Sequence, residues 1–211
     1  MRVEFVDEID STHLYLVSAL RNKTITSPYC IVADIQNAGV GSRGNEWSGG
    51  DGNLFMSFCV DKFLLPDDLN DASISIYFSM IMAEILKKYG SKVWVKWPND
   101  FYINELKIGG TISTKINDAY VGSIGINLYS KPEKAGVLDI KVSRDSLVWA
   151  FCEELEKKPK WKQIFSKFKI EFQKSKNYIT HVGDDSISLA CATLCDDGAI
   201  MINNKKVYSL R

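Results

Sequence analysis

The chain has 211 residues, of which 45% are hydrophobic and 25% are charged, a composition typical of one globular domain, or one domain with a small appendage. Its 26 basic and 26 acidic side chains give a net charge of zero, which argues against a protein that coats nucleic acid and against an acidic disordered tail. No apolar run approaches the roughly 20 residues that cross a bilayer. Residues 1–12 have no hydrophobic stretch, so we expect neither a membrane protein nor a signal peptide.

The first half of the chain alternates strand-like and helical segments. Leu14, Val17 and Leu20 are spaced to form the apolar face of a first helix. The predicted elements are, in order, a strand at 3–6, a helix capped by Asp10 or Ser11 and running to about Arg21, a strand at 30–36, an irregular glycine-rich stretch at 37–53, a central strand at 54–60 and a long helix at 71–89.

The second half of the chain is predicted to contain three strands, two helices and a tail of short β segments. A strand at 93–97 is stopped by Pro98, and strands at 106–115 and 120–128 are too close in sequence for a helical crossover, so they pair antiparallel. Helices at 143–157 and 160–175 follow, and then short β segments at 178–182, 186–194, 199–202 and 205–209. The fold class is α+β, a mixed or antiparallel sheet flanked by helices, with one domain at 1–176 and a small β domain at 177–211.

The cysteines do not indicate a metal site, whereas one stretch of the chain is strongly basic. Cys30 and Cys59 lie in apolar runs, which predicts buried thiols in a reducing cytoplasm, and Cys191 and Cys195 lack the second pair that a zinc site needs. Residues 157–176 hold eight lysines and one glutamate. This basic stretch is either a solvated helix face or a docking surface for an acidic partner.

Six of the 14 glycines fall within residues 39–52. Gly39 to Gly44 fit the pattern G-x-G-x-x-G, but Trp47 and the glycines after it prevent the helix that a dinucleotide-binding fold requires. The stretch is then either a plain surface loop or an anion cradle of backbone N–H groups, with Arg43 adding charge and Trp47 covering an aromatic base.

Three further motifs combine polar groups with space for a ligand. Residues 96–100 read Lys-Trp-Pro-Asn-Asp and place polar side chains at the end of a strand. Lys107 precedes the doublet Gly109-Gly110, which indicates the close approach of a ligand or of another backbone. Small residues at 122–125 lead to Asn127, which offers a polar amide edge.

Taken together and in this order, these motifs resemble those of the biotin protein ligases, the biotin–acetyl-CoA-carboxylase ligases. The resemblance covers residues 1–176 closely, and the tail resembles the family's SH3-like C-terminal domain more loosely. The residues that carry it are Asp10-Ser11-Thr12, Gln36 to Gly44 with Trp47, Lys96 to Asp100, Lys107 to Gly110, and Gly125-Ile126-Asn127.

The resemblance implies a role for each matching position. Catalytic roles fall to Lys107, which would bridge the biotin carboxylate and the α-phosphate of ATP, to Arg43, and to Asp100 as the base for the incoming amine. Biotin contacts are implied for Ser11, Thr12, His13, Gln36, Gly39, Val40, Gly41, Ser42, Lys107 and Gly110. Nucleotide contacts are implied for Arg43, Gly44, Trp47, Asn99 and Asn127, and no protein ligand to a metal is assigned.

The chain departs from the family pattern at His13 and at three positions of the glycine-rich loop. His13 stands where the family has Asn, and it is either a neutral site residue or a solvent-facing helix residue. Val40, Ser42 and Asn45 stand where the family loop has arginines, so we expect a leakier biotinyl-adenylate or weaker binding of ATP.

The resemblance also implies the reaction and its partners. Biotin is activated by ATP with Mg²⁺ to biotinyl-5'-AMP and transferred to a lysine of the biotin carboxyl carrier protein, whose acidic surface would meet the basic stretch 157–176. The Ser-Thr motif begins at residue 11, so we expect a short form without a DNA-binding domain. A lipoate or octanoyl transferase of the same fold, a non-catalytic biotin-binding module and a homodimer stay open.

Overall fold

The computed structural model describes residues 1–42, 45–47, 49–182 and 185–208. Within these ranges seven strands form the main sheet, in the spatial order β1-β2-β3-β7-β6-β5-β4. In chain order they are β1 (Arg2–Ile9), β2 (Tyr29–Gln36), β3 (Leu54–Asp61), β4 (Trp94–Lys96), β5 (Asp100–Ile103), β6 (Leu106–Ile116) and β7 (Ala119–Ile126). The pair β1–β2 is parallel and the other neighbouring pairs are antiparallel, so the predicted mixed sheet is confirmed.

Helices cover the two faces of the sheet unequally. The helices are α1 (Thr12–Arg21), α2 (Ile74–Lys88), α3 (Arg144–Glu156) and α4 (Trp161–Ser175). Alternate residues of β3, such as Met56 and Phe58, belong to a large core that includes α2, α3 and α4. Cys59, on the opposite face of β3, belongs to a small cluster with Leu16 and Val17 of α1. One short helix therefore shares its face of the sheet with an open region.

Helix α1 begins at a capped and polar first turn. The Ser11 side chain accepts a hydrogen bond from the Leu14 backbone N–H, as an N-cap residue does. The prediction that Leu14 belongs to the buried face is wrong, because this side chain is 53% exposed. The helix instead buries Leu16 and Val17 together with polar residues of its first turn, since that turn is hydrogen-bonded to the sheet.

A short strand that the sequence pattern did not predict follows Pro98. Strands β4 and β5 pair as a tight hairpin in which Lys96 lies opposite Asp100. Trp97 in the turn is buried, and its indole N–H donates to the Gly198 carbonyl at 2.8 Å. The hairpin places Asp100 at the start of β5, directly opposite Gly110 of β6.

The tail is rich in strands, as predicted, although the segment at 186–194 is two strands. Its elements are β8 (Ile179–Val182), β9 (Asp185–Ser188), β10 (Thr193–Leu194), β11 (Ile200–Ile202) and β12 (Lys205–Val207). Ile200 and Ile202 pack in the same core as α2. The strand content agrees with a small SH3-like region, while a domain boundary at 176 stays a prediction. No helix in the described ranges is long and apolar enough to span a membrane.

Candidate active site

A cavity of about 260 Å³ lies on the same face of the sheet as α1. Its walls come from the start of α1, the end of β2, the glycine-rich loop and the strands β5, β6 and β7. The predicted site residues that line it are Thr12, His13, Gln36, Val40, Gly41, Ser42, Trp47, Asn99, Asp100, Lys107, Gly110 and Asn127. Motifs that lie far apart in the sequence thus meet around one space.

Two of the described site residues, Ser11 and Gly39, do not line the cavity. The Ser11 hydroxyl caps α1. Gly39 lies in the loop, where its carbonyl accepts a hydrogen bond from the Trp47 backbone N–H at 2.7 Å. A Cβ atom on Gly39 would lie 2.4 Å from the Trp47 carbonyl oxygen, so the loop needs glycine there. Arg43 and Gly44 lie outside the described residues.

The glycine-rich loop folds back on itself through its backbone. Besides the Trp47–Gly39 contact, the Gly41 N–H donates to the Asn45 carbonyl at 2.7 Å, and Val40 and Glu46 form an isolated β-bridge. The predicted lack of regular structure is therefore wrong for this bridge. These contacts join backbone atoms, so they can form with many different side chains at the same positions.

The floor of the cavity is two facing glycines. Gly110 of β6 pairs with Gly125 of β7. A Cβ atom on Gly125 would lie 2.6 Å from the Trp47 indole, so the ring lies directly against the strand. A Cβ atom on Gly110 would lie 3.2 Å from an Asp100 carboxylate oxygen. Side chains at either position would fill the space that the aromatic ring and the carboxylate use.

One end of the cavity is charged. The Lys107 ammonium forms an ion pair with the Asp100 carboxylate at 2.8 Å, and the Lys107 side chain is 41% exposed. An ion pair this accessible contributes roughly 0–1 kcal/mol. Lys107 is therefore available to a stronger anionic partner at little cost, and Asp100 is then released.

The other end of the cavity is polar and neutral. The Gln36 Oε1 atom accepts hydrogen bonds from the Thr12 backbone N–H at 2.8 Å and from the Thr12 hydroxyl at 3.0 Å. The Ser57 hydroxyl donates to the Thr12 Oγ1 atom at 2.7 Å and contacts the Ser123 Oγ atom at 2.7 Å. Ser57 was missed from the sequence, because a serine inside an apolar strand carries no local signal.

His13 joins the same polar end. Its Nδ1 atom lies 2.7 Å from the Ser123 Oγ atom, and its Nε2 atom lies 3.0 Å from the Thr114 Oγ1 atom. The ring is 8% exposed, so the solvent-facing alternative is wrong. Burial lowers the pKa of His13 from 6.5 to about 4, and the imidazole is neutral at physiological pH.

Three asparagines fix the segments around the cavity. The Asn99 side-chain amide donates to the Thr111 carbonyl, and that of Asn127 donates to the Gly136 carbonyl at 3.0 Å. Asn53, which the sequence reasoning missed, accepts with its Oδ1 atom from the backbone N–H groups of residues 128, 129 and 130. The Asn127 Oδ1 atom is buried and has no hydrogen-bond partner among the described residues.

The buried histidine predicts a pH-dependent stability. Below about pH 6.5 the unfolded chain binds a proton at His13 that the folded chain binds only near pH 4, so the free energy of unfolding falls as the pH falls between these values. Between pH 7 and about pH 4.5 this loss is about 2 kcal/mol. Urea unfolding of wild type and His13→Asn measures it, because the variant keeps every other titrating group. Parallel pH curves for the two proteins would contradict the prediction.

The sequence is similar to those of ligases from a bacterium and a plant. Over 138 residues the chain is 33% identical to the bifunctional ligase/repressor BirA of Escherichia coli, an alignment that covers 62% of this chain and 42% of BirA. Over 105 residues it is 34% identical to biotin–protein ligase 2 of Arabidopsis thaliana, covering 46% of this chain and 31% of that protein. The chain thus matches less than half of the length of these curated relatives.

A solved structure matches over nearly its whole length. The biotin acetyl coenzyme A carboxylase synthetase of Helicobacter pylori, described with bound biotinylated ATP, superposes with a TM-score of 0.94 at 35% identity, covering 98% of this chain and 99% of that one. The ligase of Aquifex aeolicus, at 19% identity and a TM-score of 0.78, shows the same fold. A sequence profile matches residues 5–128, more than half of the chain, and the chain therefore belongs to the biotin/lipoate A/B protein ligase family.

Proposed function

We propose that this protein is an ATP-dependent biotin–protein ligase, which forms biotinyl-5'-AMP and transfers biotin to a lysine of the biotin carboxyl carrier protein of acetyl-CoA carboxylase. The observation that carries the proposal is the cavity with two unlike ends, one neutral and hydrogen-bonding, the other carrying Lys107 and Asp100. The likeness to the Helicobacter pylori synthetase, described with bound biotinylated ATP, supports it.

The first step joins two anions, which repel each other, and Lys107 supplies a cation that reduces this repulsion. The biotin carboxylate attacks the α-phosphorus of ATP, and pyrophosphate leaves. A fixed cation between the carboxylate and the phosphate stabilises the charge of the transition state. Lys107 is the cation among the described cavity-lining residues, and the weak ion pair with Asp100 leaves it free to turn to the substrates.

The second step needs a neutral amine, and the proposed acceptor of its proton is Asp100. Once Lys107 turns to the phosphate, the Asp100 carboxylate loses its counter-ion at the cavity wall. The carrier lysine attacks the acyl carbon of the anhydride, AMP leaves, and Asp100 takes the proton that the amine loses. The glycine-rich loop covers the anhydride and excludes water.

Mg²⁺ fits the donor set of the charged end. Magnesium is usually held by one or two carboxylates together with the phosphates of the substrate. Asp100 offers a carboxylate, and the unpartnered Asn127 Oδ1 atom offers a neutral oxygen. When bound, the ion would neutralise phosphate charge.

Trp47 and the loop positions around it are proposed to hold the nucleotide. The indole lies against Gly125, where no side chain separates it from β7, so a flat purine can be received at this wall. Val40, Ser42 and Asn45, which replace the arginines of the family pattern, all line the cavity. Their lack of charge therefore bears directly on how firmly an adenylate is held.

Two other functions predict different chemistry in the same cavity. A lipoate or octanoyl transferase handles an acyl chain without a urea, which would leave the side-chain amide N–H groups of Gln36 without a ligand acceptor. A non-catalytic biotin-binding module performs no adenylation and therefore does not require the Lys107 cation. Incubation with ATP, Mg²⁺ and either biotin or lipoate, followed by measurement of pyrophosphate and of carrier labelling, separates the three.

Removing the cation at the charged end should abolish activation. We expect Lys107→Ala to lower the rate of biotin-dependent pyrophosphate release by at least about 100-fold, the usual effect of deleting a group that stabilises transition-state charge. Lys92→Ala, which removes an exposed lysine that does not line the cavity, should leave the rate unchanged. Unfolding midpoints should match wild type. Substantial turnover by a folded Lys107→Ala enzyme would refute this role.

Restoring a cation to the loop should retain the intermediate. We expect Ser42→Arg to slow the release of biotinyl-5'-AMP by about tenfold, because a charge-assisted hydrogen bond to phosphate contributes about 1.5–3 kcal/mol. Ser42→Gln, a long uncharged side chain, is the matched control and should change the release rate little. Equal rates for both variants would show that the absence of loop charge does not limit retention.

The basic stretch is proposed to steer the carrier, and its charge is only partly neutralised. Lys167 pairs with Glu84 and Lys174 with Glu171, whereas Lys160 and Lys162 are exposed and form no ion pair among the described residues. We expect the second-order rate of carrier biotinylation to fall on the order of tenfold between about 0.05 M and 0.5 M salt. The variant Lys160→Glu/Lys162→Glu should lose most of this dependence, unlike Lys92→Glu. A salt-insensitive wild-type rate would leave the stretch a solvated helix face.

A further inference from the structure

Six polar side chains from five secondary-structure elements form one unbroken line beside the cavity. The line runs from Gln36 of β2 through Thr12 of α1, Ser57 of β3, Ser123 of β7 and His13 of α1 to Thr114 of β6. Its five side-chain contacts measure 3.0, 2.7, 2.7, 2.7 and 3.0 Å. Each hydroxyl has a single proton, so the direction of every bond in the line can be worked out from one end.

The direction of the hydrogen bonds along the line is determined at Gln36. The atom that meets the Thr12 backbone N–H must be an acceptor, which identifies it as Oε1. The Thr12 hydroxyl therefore donates its proton to Gln36 as well. Ser57 donates to Thr12, since Thr12 has no second proton. By the same reasoning Ser123 donates to Ser57.

Only one form of His13 completes the line. Ser123 has already used its proton on Ser57, so the contact between Ser123 and His13 needs a donor on the ring, which is Nδ1–H. A neutral ring then has a lone pair on Nε2, and Thr114 donates to it. The neutral Nδ1–H tautomer satisfies every contact, whereas the Nε2–H tautomer leaves Ser123 facing a lone pair.

We propose that His13 is a positioning residue, which as the neutral Nδ1–H tautomer orients the hydroxyl protons of this line. It thereby fixes which atoms donate and which accept hydrogen bonds at the end of the cavity that receives the ring of the ligand. Gln36 then offers only amide N–H donors to a ligand, because its Oε1 atom is occupied by Thr12. Ser123 offers only a lone pair. The proposal rests on the proposed function, in which this end receives the biotin ring.

The ordered line selects a particular ligand chemistry. A carbonyl acceptor beside an N–H donor, as in a cyclic urea, pairs with Gln36 and Ser123 together. A ring that has acceptors alone leaves Ser123 unpaired, and a ring with neither group leaves both unpaired. Misaligned hydroxyls would lose this distinction, because a rotating hydroxyl can donate or accept.

The surroundings of His13 favour the neutral form. The ring is buried, and the side chains that it contacts in the line are uncharged hydroxyls. The charged residues that line the same cavity within the described ranges are Glu46, Asp100 and Lys107. A protonated ring would present N–H groups at both nitrogens and displace the Thr114 proton from its acceptor.

Nitrogen NMR of the full chain reads the tautomer directly. The chain has two histidines, so labelling with ¹⁵N-histidine and comparison with His181→Gln assign the His13 signals. We expect His13 to be neutral with its proton on Nδ1 from pH 7.5 down to about pH 5. A ring that is protonated in this range, or that carries its proton on Nε2, would overturn the proposal whether or not the protein binds biotin.

Two variants test the line itself. Ser123→Ala removes the partner of Nδ1, and we expect the His13 signals to shift towards the Nε2–H tautomer and the affinity for biotin to fall about tenfold by calorimetry. His13→Asn keeps a donor for Ser123 and should bind biotin within about threefold of wild type, whereas His13→Leu should lose about tenfold. Equal affinities of the Asn and Leu variants, or an unmoved tautomer in Ser123→Ala, would refute the proposal. Failure of wild type to bind biotin would instead count against the proposed function.

Discussion

The first turn of α1 is tied to the sheet by buried hydrogen bonds, and the site depends on that attachment. Thr12 and His13 are both nearly inaccessible, and their partners come from four different strands. Buried polar groups stabilise a fold only when each has a partner, and a group that loses its partner costs about 1–3 kcal/mol. The helix is therefore held in one position, and with it one wall of the cavity.

The two ends of the cavity differ in the physical property that each supplies. At the polar end, uncharged groups are fixed by one another, and in the proposed function selectivity comes from which atoms donate and which accept. At the charged end, Lys107 and Asp100 hold each other only weakly, and the proposed reactivity comes from charges that can separate. In the proposed function, recognition and chemistry therefore use different groups of one cavity of about 260 Å³.

The parts of the site that could be predicted from the sequence are those carried by local motifs. The loop at 39–47, the residues before and after Pro98 and the segment at 107–110 all have sequence patterns that predict a bend or a close approach, and each segment contributes described residues to the cavity lining. Ser57 and Thr114 give no such signal, because an isolated hydroxyl in a strand acquires meaning only from a neighbour across the sheet. The exposure of Leu14 has the same cause: contacts of Thr12 and His13 with distant strands decide which side of the helix is buried.

The glycine-rich loop shows why charge can change at a site while shape is retained. Hydrogen bonds within its described part join backbone atoms, as between Gly41 and Asn45, and Gly39 lies where a Cβ atom would collide. The residues at 40, 42 and 45 line the cavity. Under the proposed function, uncharged residues at these positions alter the electrostatic field that a phosphate meets, while the backbone hydrogen bonds of the loop are kept. Retention of a charged intermediate and exclusion of water would then depend on different parts of the loop, the first on its side chains and the second on its backbone.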